Sequence, residues 1–579
     1  MVKRLARCVR EYRRYALLTP VLVLLEVAMD ILLPILMAVL IDYGIQDGNP
    51  QMIAKLSVAL LGCTVLALLL GVLSGQTAAI ASAGFAKNVR HDLYYNLQTF
   101  AFENIDRFST SSLITRMTTD VDYLQHAFHM LIRITVRAPF MLIFSLLMAF
   151  SINRSLSLVF LAVLPILGFF MYLIMSRAHP IFETAFKMYD KLNTVVQENL
   201  RGIRVVKSYV REEHEIQKFK RTSQDIYATF SKAQKLVSFI MPVMQLCMFG
   251  CSLILSWMGG RLIVFGEMTT GMLVSLLTYS FQILTSLMIL GMVFMMLVIS
   301  KASAQRVVEV LEERTDLYSP QNPVTQVKDG SIRFEDVGFS YAKDRENLAL
   351  RNVNLTIKSG ETVGILGGTG SAKTTLVQLI PRLYDVTEGR LLVGGVDVRD
   401  YDLTALRQEV AMVLQKNELF SGTIKENLRW GNQDASDEEL EHVCRLACAH
   451  EFIETFPKGY DTYIEQGGTN VSGGQKQRLC IARALLKKPK ILILDDSTSA
   501  VDTKTDARIR QAFAQEIPNT TKLIITQRAA SVEHADKIVV LDEGEVVDVG
   551  THSQLMERCD IYREVYISQQ KGGSADEAV

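Results

Sequence analysis

Ile491-Leu-Ile-Leu-Asp-Asp-Ser-Thr-Ser-Ala-Val-Asp502 is the stretch whose reading decides the fold of this chain. Four apolar residues run without a break into an aspartate. A continuous apolar run of that length, ending at a turn, predicts a strand of a covered parallel sheet. Such a strand would deliver the Asp495 carboxylate to a metal–nucleotide site.

Upstream lies Gly367-Gly-Thr-Gly-Ser-Ala-Lys-Thr-Thr375. It follows the short apolar run 363–366 and opens the apolar segment 376–380. A glycine-rich loop between strand and helix, closed by Lys-Thr, is a phosphate-binding loop. Backbone N–H groups from Gly367, Gly370, Ser371 and Thr375, with the helix N-terminus, are expected to face the phosphates. Lys373 would reach the β- and γ-phosphates, Thr374 would ligate Mg²⁺, and Asp495 would complete the metal shell. Ala372 occupies a place where the motif usually has glycine. If that place needs φ > 0, the methyl group costs about 1 kcal/mol.

A phosphate loop by itself leaves kinases, GTPases and motors open. Val471-Ser-Gly-Gly-Gln475, followed by Lys476-Gln-Arg478, closes them off. This sequence resembles the signature of ATP-binding-cassette (ABC) proteins, and the match extends along the whole cassette. The resemblance implies ATP and Mg²⁺ as cofactors. It implies that Tyr341 stacks on adenine. It gives Gln415 the loop that senses the γ-phosphate, ligates the metal and contacts a membrane domain. Ser472, Gly473, Gly474 and Gln475 would bind a nucleotide held by a second cassette, and Ser499-Ala-Val-Asp502 would cross the interface between the two.

Two positions depart from that family. Asp496 stands where the family places a glutamate to activate water, and Gln527, in Ile524-Ile-Thr-Gln-Arg528, stands where it places histidine. A general base has to sit within about 2.6–3.2 Å of the proton it takes, or act through one water. Shortening the side chain by one methylene withdraws the carboxylate from that position. Gln527 still donates a hydrogen bond but carries no positive charge. Both changes fall on hydrolysis, whereas Tyr341, Lys373, Thr374, Gln415 and Asp495, which serve binding, are intact. The site therefore reads as built to hold ATP and poorly built to cleave it.

The chain has 579 residues, too many for one domain. Its mean hydropathy of +0.20 averages two unlike halves: long apolar runs up to about residue 298, and an α/β pattern beyond about 320. The formal net charge is zero, so nothing argues for nucleic acid. Lys3, Arg4, Arg7, Arg10, Arg13 and Arg14 precede the first apolar run, which places the N-terminus in the cytoplasm. The first apolar segment is too long for a signal peptide and no small-residue cleavage site closes it. The eight cysteines are scattered and read as packing residues with reduced thiols.

Six segments are near or above the ~20 apolar residues that a bilayer needs: 15–41, 52–81, 127–150, 156–175, 236–264 and 271–298. The odd-numbered gaps between them are short and face outside; the even-numbered ones, 82–126 and 176–235, are long, charged and helical in period, and belong in the cytoplasm. The expected fold is thus an N-terminal all-α membrane domain of six transmembrane helices with long cytoplasmic extensions, followed by a C-terminal α/β P-loop ABC nucleotide-binding domain. The expected bounds are 1–310 for the first, 311–328 for a linker containing Pro320 and Pro323, 329–570 for the cassette and 571–579 for a disordered tail. By resemblance to ABC exporters, each cytoplasmic loop carries a short transverse helix, near 106–113 and 201–209.

Charges recur inside the spans. Glu26, Asp30 and Pro34 share one helix face, as do Arg133 and Arg137. Charges in lipid are expensive, so these either pair across helices or line a cavity that attracts charged amphiphiles. Met288, Met292, Met295 and Met296 in the sixth segment suit a soft apolar cavity or plain packing.

A single cassette needs a second one. A homodimer would repeat the Asp496 and Gln527 changes in both sites, so the reading that fits is one half of a heterodimeric exporter in the cell membrane, multi-pass, with a competent partner half. It would move amphiphilic or hydrophobic compounds: small molecules, lipids or peptides. Three alternatives stay open: a homodimeric exporter with Asp496 as a weak base, a nucleotide-gated regulatory membrane protein, and an importer.

Overall fold

Six apolar helices of 37 to 53 residues, Arg10–Gln46, Pro50–Gln98, Thr110–Ile152, Arg154–Arg201, Glu212–Val264 and Thr270–Glu312, are each long and apolar enough to cross a membrane. Every expected span lies inside one of them. At about 1.5 Å per residue even the shortest is about 55 Å long, against about 30 Å of hydrocarbon. The excess is the cytoplasmic extension that the charged loops foretold. The computed structural model describes residues 1–496 and 501–576, with side chains at all of these but 186, 190, 503 and 571–576. The chain divides into two units, residues 1–98 with 110–313, and 99–109 with 314–579.

In the membrane unit, Val23, Val27 and Ile31 of the first helix pack against Leu276, Tyr279 and Ile283 of the sixth, with Phe160 and Leu255 beside them. Pro34 has no N–H to offer the Asp30 carbonyl one turn earlier. The Gln282 amide donates to that carbonyl instead, at 3.3 Å, and the Tyr279 hydroxyl donates to Ile31 O at 2.7 Å. The intramembrane charges do pair in part: Arg137 reaches Glu26 at 2.6 Å and Asp30 at 2.9 Å. In the extensions, Arg306 bonds to the buried Asp120, and Arg116 pairs with Glu309 at 2.8 Å. All eight cysteines are free thiols.

The second unit is built on two sheets. A six-stranded sheet runs in the order Glu545–Gly550, Lys537–Asp542, Thr362–Leu366, Thr521–Thr526, Ile491–Asp495 and Val410–Val413. All neighbours are parallel except the first pair. Ile491–Asp495 is buried at every position, as its unbroken apolar run requires. A four-stranded antiparallel sheet, Leu350–Ile357, Ile332–Phe339, Glu388–Val393 and Val396–Asp397, lies in the same unit.

Three boundaries differ from the sequence reading. The first transverse helix is Phe102–Arg107, a turn earlier than 106–113, and its segment belongs to the cassette unit rather than to the 1–310 domain. The reason is local chemistry: Tyr384 donates to Asp106 at 2.6 Å, Lys343 pairs with Glu103 at 3.0 Å, and the Phe102 ring meets that of Tyr384. The second transverse helix is Ile203–Ser208, inside the expected 201–209. Of the tail expected to be disordered, residues 571–576 continue the helix Asp560–Asp576, and 577–579 lie outside the described residues. That helix is anchored by the fully buried Tyr562, and once formed it extends by one bond per residue fixed.

Candidate functional site

The sheet register assembles the site. Leu366 lies opposite Thr526, Ile525 opposite Asp495, and Leu494 opposite Val413. Strands that end in step place the next residues of each at one edge: Gly367, Gln527, Asp496 and the turn holding Gln415. This is the carboxyl edge, where open α/β sheets bind ligands. A cleft of about 540 Å³ opens there, lined by Tyr341, Lys373, Thr374, Gln415, Asp495, Asp496 and Gln527, among others.

The phosphate loop has the backbone its sequence demands. A side chain at Gly367 would collide with the carbonyl of Leu541 and with Ser371 Oγ. Gly370 has φ 87°. Ala372 has φ 67° and ψ 24°, the left-handed region, so the alanine carries the conformational cost foreseen for it. The helix Lys373–Gln378 follows directly. Ser371 is buried; its hydroxyl donates to Gly368 O at 2.9 Å. Lys373 Nζ donates to Gly367 O at 2.9 Å, Gly368 O at 2.6 Å and Ser371 Oγ at 3.2 Å. Burial lowers the Lys373 pKa, and the carboxylates of Asp495 and Asp496 pull it back up.

The Thr374 hydroxyl donates to Asp495 Oδ1 at 3.1 Å. Asp495 is only 2% exposed. Burial pushes its carboxyl up, and the Thr374 bond and Lys373 oppose that. A buried hydroxyl–carboxylate pair at the mouth of a phosphate loop fits Mg²⁺, a hard cation that takes few protein oxygens and completes its octahedron from phosphate and water. Gln415 lies at the same rim. The Tyr341 ring is 48% exposed. It is held edge-on by Phe339 and Tyr384 and by a hydroxyl bond to Thr375 Oγ1 at 2.9 Å.

Asp496 has φ 44°. Burial raises its carboxyl; Arg528, Lys373 and a hydrogen bond with Gln415 act the other way. Gln527 lies at the cleft rim with its side chain exposed. Its backbone is clamped from the far end of the chain: Gln569 Nε2 donates to Gln527 O at 2.7 Å, and Gln569 Oε1 accepts from Ala529 N at 2.9 Å.

Ser472, Gly473, Gly474 and Gln475 do not line this cleft. They start the helix Gly473–Leu486, where Ser472 Oγ accepts from Gln475 N and Gln475 Oε1 accepts from Ser472 N, a capping box. Ser472 and Gly473 are exposed. Of the interface loop, Ser499 and Ala500 lie outside the described residues, and Asp502 caps the helix Thr503–Glu516 through Thr505 N at 2.9 Å. The sequence reading missed Glu543 and Gly544, which also line the cleft, the Gln569 clamp and the Tyr384–Asp106 bond. The turn-forming Glu543-Gly544 pair was the one visible signal among these.

A helical membrane unit of six spans and a P-loop cassette with its phosphate loop, metal carboxylate and signature helix define a nucleotide-driven transport protein. Residues 17–307 match the family model described as the ABC transporter transmembrane region, and residues 350–499 match that described as ABC transporter. YfiB of Bacillus subtilis (strain 168), an uncharacterized ABC transporter ATP-binding protein, is 38% identical over 561 residues, 97% of each chain. YgaD of the same organism, a putative multidrug export ATP-binding/permease protein, is 30% identical over 98% of this chain and 99% of its own. A solved bacterial Atm1-family ABC exporter with ATP bound shares the fold, with a TM-score of 0.81 at 23% identity, covering 96% of this chain and 98% of that one. The chain belongs to the ABC transporters. It is a multi-pass membrane protein with a cytoplasmic cassette, joining one membrane domain to one cassette in the exporter-type fold, and its cassette binds ATP to drive transport.

Proposed function

We propose that this chain is the non-hydrolysing half of a heterodimeric exporter for amphiphilic or hydrophobic compounds. The observation that carries the reading is the pairing of a complete binding set with an altered hydrolytic one. Lys373, Thr374, Asp495 and Tyr341 converge on the cleft, while the two positions that would act on the attacking water hold Asp496 and Gln527. The short Asp496 side chain is engaged by Gln415, and Arg528 and Lys373 add their charge to the same carboxylate.

In this reading the chain's phosphate loop meets the partner's signature, and holds ATP as a clasp between the cassettes. Its own exposed Ser472-Gly473 completes the partner's working site, where backbone and hydroxyl donors stabilise the charge that develops in phosphoryl transfer. Cassette closure passes through the transverse helices to the spans. YgaD's putative multidrug export role supports an amphiphilic cargo.

The test is ATPase activity of the co-expressed pair with one change at a time in this chain. Gly473→Glu should nearly abolish turnover, and Ser472→Ala should lower it by less than the roughly 10²–10³ that a lost oxyanion donor costs. Lys373→Ala should weaken nucleotide binding and leave part of the activity. The reverse order of severity would assign the working site to this chain.

A further inference from the structure

The membrane unit holds a second cavity, of about 450 Å³, between the third and sixth helices. Its polar lining comprises Arg133, Arg137, Gln282, Thr285 and Ser286, and no carboxylate is among its lining residues. The two acids of this region lie behind it. Glu26 and Asp30 both bond to Arg137, at 2.6 and 2.9 Å, and neither lines the cavity. Arg137 is thereby compensated.

Arg133 is different. Its Nη2 donates to the backbone carbonyl of Gly71 at 3.2 Å, and among the described residues no carboxylate lies within ion-pair distance of it. It sits at the break between the helices Val121–Ile132 and Ile134–Ile152, with φ −112° and ψ −64°. The second helix makes room for it. A methyl group at Gly75 would stand 3.2 Å from Arg133 Nη1, and one at Gly71 would stand 3.3 Å from Glu26 Oε1. The two glycines, one turn apart, thus seat the guanidinium and the carboxylate against the same helix. In the same cavity, the Thr285 hydroxyl is buried without a hydrogen-bond partner. The apolar walls include Met130, Met141, Phe281, Ile289 and Met292.

An intramembrane cation without an acid partner, an orphan hydroxyl and a methionine-rich wall together describe a binding site rather than a strut. We infer that this cavity binds a monoanionic amphiphile, its carboxylate, sulfonate or phosphate ester on Arg133 and Thr285 and its apolar body on the methionines and Phe281. A guanidinium offers the two parallel donors that such a head accepts, and the volume suits a drug-sized molecule. The ligand is either a dissolved compound or a membrane lipid with an anionic head. The inference rests on the exporter reading only in treating the occupant as cargo.

Binding is read without turnover, so the two readings fail separately: a hydrolysing homodimer would overturn the heterodimer and leave this site untouched. The full chain, purified with its associated subunits into phosphatidylcholine nanodiscs, is titrated with 11-(dansylamino)undecanoic acid and with its methyl ester. The acid should bind at least about tenfold more tightly than the ester, a preference worth about 1.4 kcal/mol. Arg133→Gln should erase that preference while leaving ester binding within about twofold, and Arg133→Lys should restore part of it. Gly75→Ala keeps the charge but displaces it, so it should also lower the preference and serves if Arg133→Gln does not fold. Competition by phosphatidylglycerol in the disc would identify a lipid as the source, and its absence a dissolved compound. An acid-to-ester preference unchanged in both Arg133→Gln and Gly75→Ala would overturn the site.

Discussion

The Thr374 hydroxyl and the Asp495 carboxylate meet at 3.1 Å although they stand 121 positions apart in the chain. That bond closes the binding half of the nucleotide site: one partner opens the helix after the phosphate loop, the other ends the buried strand Ile491–Asp495. The next residue, Asp496, is turned by a positive φ toward Gln415 and Arg528. Two adjacent aspartates thus face different partners: Thr374 for Asp495, Gln415 and Arg528 for Asp496.

Asp496→Glu restores the reach of a general base but leaves Gln527 in place. Hydrolysis at this site should rise by much less than the about 10²–10⁴ that a well-placed base contributes. Asp496→Glu with Gln527→His should recover more than the product of the two single gains, because both groups act on one water and one γ-phosphate. Purely multiplicative gains, measured with the partner's own site disabled, would show that the two residues do not share a site.

Tyr384→Phe removes the donor to Asp106. A hydrogen bond to a charged group is worth about 1.5–3 kcal/mol, and the low end applies here because Asp106 is exposed. Amide exchange in Phe102–Arg107 should accelerate by about tenfold, with ATP affinity unchanged. Unaltered exchange would mean that the short helix is held by its apolar and Lys343 contacts alone.

Asp495 gives the site a pH signature. Burial raises its carboxyl above the ordinary 3.8. A carboxyl with a raised folded pKa gives up its proton more readily in the unfolded state. Stability is therefore greatest below the unfolded pKa and falls as pH rises through the folded one. Asp495→Asn removes that slope. Without nucleotide, its melting temperature should gain on the natural protein between about pH 4 and about pH 7. A constant gap over that range would mean that Asp495 carries no such strain.

The residues whose roles are local were legible in the sequence. Gly367, Lys373 and Thr374 form one contiguous loop, and Asp495 ends an unbroken apolar run, so spacing alone placed them. The φ of 67° at Ala372 confirmed a cost that the motif itself predicted. Long-range partners were not legible. Nothing near Gln527 points to Gln569, 42 positions away, and Tyr384 reads as an ordinary core aromatic until Asp106 is seen beside it. Helical period put Glu26 with Asp30 and Arg133 with Arg137, but period fixes a face and not its neighbour. It could not say that Arg137 takes both acids while Arg133 takes a carbonyl.

The claim that this chain holds ATP without cleaving it is tested most directly by the nucleotide left on it after the partner has turned over. The assembled complex is allowed one round of hydrolysis with 8-azido-ATP, irradiated and digested, and the adduct on peptides carrying Tyr341 or Lys373 is read by mass spectrometry. Intact triphosphate on those peptides, with diphosphate on the partner's equivalent ones, is the predicted result. Diphosphate at Tyr341 or Lys373, formed as fast as at the partner, would contradict it.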